Sequence, residues 1–99
     1  MRLTAAERAA IEQTFVEVFQ KGEVVLFGSR VDDNKRGGDI DLYIAPKTHS
    51  PSVFEQKIAF LVALKQRIGE QKVDVLIEPL VSEAFRNEAK ATGEVLCRR

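Results

Sequence analysis

Apolar residues recur along this chain at two different periods, and each change of period marks an element boundary. Ile11, Phe15, Val18 and Phe19 fall at helical spacing behind Thr4-Ala5-Ala6-Glu7. In that tetrad a Thr hydroxyl takes a backbone N–H and the Glu three residues on returns the bond, a capping box. The spacing predicts a helix from about Ala5 to Gln20, stopped at Gly22, with Glu12, Gln13, Glu17 and Lys21 on its outer face. Glu23 to Phe27 is short, β-branched and bounded by glycines, and predicts a strand. Ser29 to Gly38 is polar and ends in two glycines, so it reads as a loop. From Asp39 to Ala45 the pattern alternates: Asp39, Asp41 and Tyr43 share one face, Ile40, Leu42 and Ile44 the other, up to Pro46.

Pro51 and Ser52-Val53-Phe54-Glu55 look like a second capping box. Phe54, Ile58, Leu61, Val62 and Ile68 follow as a stripe, which predicts a helix over Val53 to Ile68 closed by Gly69. Phe60 and Leu64 fall off that stripe and suggest either an interface or a wide buried face. Lys72 to Glu78 alternates again as a strand, ended by Pro79. Ser82 is placed to cap a last helix to about Ala91, with Phe85 and Ala89 inward and Gly93 as terminator. Glu94 to Cys97 reads as a short edge strand.

The resulting order, α-β-β-α-β-α, predicts an α/β (α+β) fold with a small mixed sheet of three to four strands and helices on one face. Its second and third strands, joined through a helix, are expected to be parallel; its first and second, joined by a loop, antiparallel. This topology sends Gly28-Ser29, Asp39, Asp41 and Asp74 to one end of the sheet. Face parity turns the three acids away from the apolar side.

A length of 99 residues makes one domain, 1–99, the expectation, with a modest core. Fifteen basic residues balance fifteen acidic ones, so the chain lacks the excess of positive charge expected of a dedicated nucleic-acid binder. A single cysteine, Cys97, excludes an internal disulfide and a cysteine-based zinc cluster, and points to a reducing, cytoplasmic setting. No apolar run has the length of a membrane span, and the first residues lack a signal peptide's apolar segment.

Three converging carboxylates repel one another and raise each other's pKa unless a cation joins them. With oxygen ligands and no neighbouring His or Cys, the donor set selects magnesium or manganese. Two such ions suit in-line displacement at phosphorus. A glycine followed by a Ser hydroxyl lets phosphate oxygens approach backbone N–H groups.

The Gly28-Ser29-Arg30 turn, the residues up to Gly38, Asp39-Ile40-Asp41-Leu42 and the later Val73-Asp74-Val75-Leu76 together resemble the minimal nucleotidyltransferases of the DNA polymerase β-like superfamily, over essentially the whole chain. The resemblance implies transfer of a nucleoside monophosphate, AMP from ATP as first choice, to a hydroxyl. It implies that Asp39 and Asp41 bind two magnesium ions. Asp74 would complete the catalytic ion's shell and orient or deprotonate the acceptor. Gly28 and Ser29 would hold the β- and γ-phosphates, and Arg30 and Arg36 would neutralise the triphosphate. Such domains often pair with a small helical HEPN-type protein as a toxin–antitoxin system, so a HEPN-type partner is expected, with a homo-oligomer as an additional arrangement. The alternatives are an antitoxin that works by occlusion and a small-molecule (aminoglycoside-type) transferase. Asp32 and Asp33 depart from the basic loop of many members, and Arg30 and Arg36 read equally well as their ion-pair partners. His49 and Lys35 read as surface, Cys97 as packing, Tyr43 as a partly buried strand aromatic, and Phe54, Phe60 and Phe85 as core.

Overall fold

The computed structural model describes residues 3–28, 39–48, 50–69, 71–78, 80–81 and 83–99. Among them run α1 (Ala5–Phe19), β1 (Gly22–Phe27), β2 (Ile40–Pro46), α2 (Val53–Ile68), β3 (Val73–Ile77), α3 (Glu83–Thr92) and β4 (Glu94–Arg98). The strands form one sheet in the order β3-β2-β1-β4. β1 lies antiparallel to β2 and to β4, while β2 and β3 are parallel. The loop-or-helix argument on connections therefore gives the correct strand directions. The C-terminal edge strand is present, one residue longer than expected. No helix among the described residues is long and apolar enough to cross a membrane.

The first helix starts as its sequence dictates. Thr4 Oγ1 accepts from Glu7 N at 3.0 Å, and Thr4 N donates to Glu7 Oε1 at 2.9 Å. It ends earlier than Gly22: Gln20 takes φ 71° as the capping residue, and its N–H reaches back to the Phe15 and Val16 carbonyls. The expected capping box at Ser52 is absent. Ser52 has φ −97° and ψ 29° and makes no side-chain cap. A capping hydroxyl needs an extended backbone to fold back on the first turn, and Ser52 lacks it. Its own N–H instead donates to Ser50 Oγ at 3.0 Å.

The faces of α2 also differ from expectation. Val53, Phe60 and Leu64 are buried, whereas Phe54, Ile58 and Val62 are 61%, 48% and 55% exposed. This helix is apolar around more than one face, so periodicity admits two stripes. Packing against α1 selects between them: Phe60 meets Phe19, ring centroids 6.0 Å apart. Arg67 of α2 also donates to the buried Thr14 Oγ1 at 2.7 Å and pairs with Glu17. Phe54 is thus a surface residue, and Phe60 and Leu64 belong to the core.

That core fills one side of the sheet. Ile11, Phe15, Val24, Leu26, Ile40, Leu42, Ile44, Val75, Ile77 and Leu96 join Phe60 and Leu64 there, with Cys97 at its margin. The other side is not fully open. Helix α3 crosses it, burying Ala89 with Val25 and Tyr43, and Phe85 meets Phe27 edge-on at 5.6 Å. Helices α1 and α2 share a face as expected; α3 covers part of the face that carries the acids. Tyr43 is consequently fully rather than partly buried.

Candidate functional site

Strand register sets the site. β1 pairs Phe27 with Asp41, and β2 pairs Asp41 with Asp74, so one row across three strands reads Phe27, Asp41, Asp74. Parity gives Asp41 and Asp74 the same face, and α3 reaches the row at Phe27 through Phe85. A two-residue alternation in each strand, combined with the parallel crossover, brings acids 33 positions apart to one face and end, and the β2–β3 register makes them neighbours.

Gly28 closes the row. Its φ is +76°, in the region that favours glycine, and a Cβ there would overlap Asp41 Oδ2 and sit 3.2 Å from Asp41 Cγ. The Asp41 carboxylate therefore rests against the backbone where β1 ends.

The acids differ in their surroundings. Asp41 is half-buried and Asp74 exposed. The Asp41 pKa lies above the ordinary carboxylate value, first because burial disfavours its charge and then because the Asp74 and Asp39 carboxylates repel it; Lys72 opposes the shift. Asp39 stands just before β2 and pairs with Lys72 Nζ at 3.3 Å. The Ile40 N–H donates to the Lys72 carbonyl at 3.1 Å, which holds the two residues side by side. The Lys72 pKa is raised, by its hydrogen bond to Asp39 and by the charges of the acids.

Beside the row lies a groove of about 490 Å³ lined by Phe27, Asp41, Lys57, Leu61, Asp74 and Leu76, among others. Sequence reasoning missed Lys57 and Lys72. Lys57 had a signal: it falls at helical spacing between Val53 and Phe60, a cation on the inward stripe of α2. Tyr43 shares the acids' face but lies further along the sheet, where its hydroxyl donates to Glu78 Oε2 at 2.5 Å.

Of the residues expected at the site, Gly28, Asp41 and Asp74 are brought together, with Asp39 alongside in its pair with Lys72. Ser29, Arg30 and Arg36, and with them Asp32 and Asp33, lie outside the described residues, as do His49 and Ser82. No group of three or more His, Cys, Asp or Glu side chains among the described residues is placed to hold a metal ion. The three acids are thus neighbours without forming a finished cage. Their chemistry nonetheless fits a hard divalent cation: the donors are all oxygen, and the repulsion that raises the Asp41 pKa is what a cation would relieve.

A family model described as Polymerase beta, Nucleotidyltransferase matches residues 10–99. The chain belongs to that family, and its function is of the nucleotidyltransferase type. No curated protein matches it.

Proposed function

We propose that this chain transfers a nucleoside monophosphate, AMP from ATP, to a hydroxyl of a macromolecular acceptor, with a HEPN-type partner in the cytoplasm as that acceptor and the chain as its antitoxin. The observation that carries the reading is the registered pair Asp41–Asp74 against Gly28. Asp39, Asp41 and Asp74 would hold magnesium, two ions in the full arrangement. Bound there, magnesium lowers the pKa of the attacking hydroxyl and stabilises the departing pyrophosphate. The exposed Asp74 accepts the acceptor's proton as its oxygen bonds to the α-phosphorus and the bond to the β-phosphate oxygen breaks. Gly28 leaves the turn free of a side chain where phosphate approaches, and Ser29, Arg30 and Arg36 follow it in sequence to meet the triphosphate. The test is pyrophosphate release from ATP and magnesium in the presence of the candidate partner. Wild type should turn over and Asp41→Asn should not; equal release by both would sink the proposal.

One observation favours a second reading, occlusion without transfer: Phe54, Ile58 and Val62 form an exposed apolar line on α2. The same line suits a homo-oligomer. If Asp39→Asn/Asp41→Asn still protects cells from the partner while Ile58→Asp does not, occlusion replaces transfer.

A further inference from the structure

The opposite end of the sheet carries the inverse electrostatics. There Gly22 pairs with Pro46, about 17 Å along β1 from the Phe27–Asp41 row. A pocket of about 330 Å³ opens at this end on the side of α3. Lys47 past β2, Arg86 and Lys90 from α3, and Arg98 and Arg99 from the end of β4 line it, with Glu23 and Glu78 between them. Five cationic side chains thus meet two side-chain carboxylates in the lining, in a chain whose side-chain charges sum to zero over its whole length.

Both carboxylates are committed. Glu23 accepts from Lys90 Nζ at 2.8 Å and from Arg98 Nε at 3.1 Å. Glu78 accepts from the Tyr43 hydroxyl and lies 3.7 Å from Arg86 Nη1, while Arg86 Nη2 lies 3.6 Å from Glu83 on α3, so the unpaired surplus among the described residues rests on Lys47 and Arg99. Glu23 and Glu78 are each 15% exposed, so they act as partly buried anchors that fix three of the cations from below. Lys47 and Arg99 are exposed and have no acidic partner among the described residues. The main-chain oxygen of Arg99 is taken up by the Gly22 N–H at 3.0 Å. What the anchors leave over is a concave surface with a surplus of positive charge, contributed by the end of β4 and the residue after β2.

We propose that this pocket is a second anion site, distinct from the carboxylate row, which takes a small polyanion of the phosphate class such as a di- or triphosphate group. Arginine forks bind phosphate oxygens bidentately and lysine ammoniums add point charge, and several cations around one pocket suit a ligand of more than one negative charge. Its size and the zero net charge of the chain favour a small ligand over a nucleic-acid backbone, which needs a long basic track. The site stands independently of the transfer reaction, because neither magnesium nor an acceptor is involved.

The test uses inorganic tripolyphosphate as the probe, with EDTA present and at low ionic strength, followed by amide chemical shifts. Saturable shifts at Gly22, Lys47, Lys90 and Arg98 are expected. Lys47→Glu/Arg99→Glu, at exposed positions that spare the Glu23 and Glu78 anchors, should weaken binding by at least about tenfold. Asp41→Asn should leave the affinity unchanged. Shifts centred on Gly28, Asp41 and Asp74, an absence of saturation, or equal binding by the charge-reversed variant would each overturn the proposal.

Discussion

Gly28→Ala separates the geometry of the site from the stability of the fold. The substitution does two things. It places a Cβ on a backbone at φ +76°, which costs a non-glycine residue about 1–2 kcal/mol. It also drives a methyl group into the space of the Asp41 carboxylate, 3.2 Å from Cγ and closer still to Oδ2. The obstacle is the end of a short side chain, so the cheapest relief is rotation of that carboxylate away from the turn. The backbone of β1 need not move, and the stability loss should stay near the conformational cost. For a chain of this size that corresponds to a fall in Tm of about 4–16 °C. Activity should suffer far more, because displacing a reacting group by about 1 Å costs on the order of a hundredfold. The assays are thermal unfolding and the initial rate of pyrophosphate release, measured on the same preparation. If Gly28→Ala kept the wild-type rate, the claim that Asp41 works where Gly28 leaves room for it would be wrong. A loss of rate matched by wholesale unfolding would refute the separation of the two effects.

Other predictions test the fold around the site. The carboxyl of Glu23 is pushed up by burial, but hydrogen bonds from Lys90 and Arg98 outweigh this and hold its pKa below the ordinary 4.5. Its contribution is therefore present above that ordinary value and lost as pH falls through the lower folded value; Glu23→Gln should flatten this part of an acid-unfolding curve. Thr4→Ala, which removes the hydroxyl that accepts from Glu7 N but keeps the Thr4 N–H bond to Glu7 Oε1, should cost about 1 kcal/mol in urea unfolding, whereas Ser52→Ala should stay within about 0.5 kcal/mol. Phe60→Ala should cost about 3–5 kcal/mol by the same measurement, and Phe54→Ala only a fraction of that, the reverse of what a single stripe on α2 would give.

Most of the fold is legible in the sequence because β-strand parity and connection type leave few choices. The alternation within each strand and the parallel crossover constrain both face and end, and so bring Asp41 and Asp74 to the same face of the same sheet end. Residues that depend on tertiary choice are less readable. Two apolar stripes compete on α2, and packing against α1 and the sheet, with Phe19 against Phe60, turns Phe60 inward. Capping at Ser52 looks as good as at Thr4 because a tetrad carries residue types but not ψ. The cover that α3 lays over the acids' face rests on Ala89 and Phe85, too few apolar positions to announce which side of the sheet they seek. Lys72 beside Asp39 is hidden for a different reason: the pairing follows from the β2–β3 register, which sequence alone leaves a residue or two loose.

The central claim is that the carboxylate row performs nucleotidyl transfer. The most direct measurement follows ATP labelled at the α-phosphate and, in parallel, at the γ-phosphate, with magnesium and the candidate acceptor protein. The account predicts α-label on the acceptor, no γ-label, and a loss of at least about a hundredfold in Asp41→Asn. Incorporation of γ-label, or α-label transferred equally by Asp41→Asn, would contradict it.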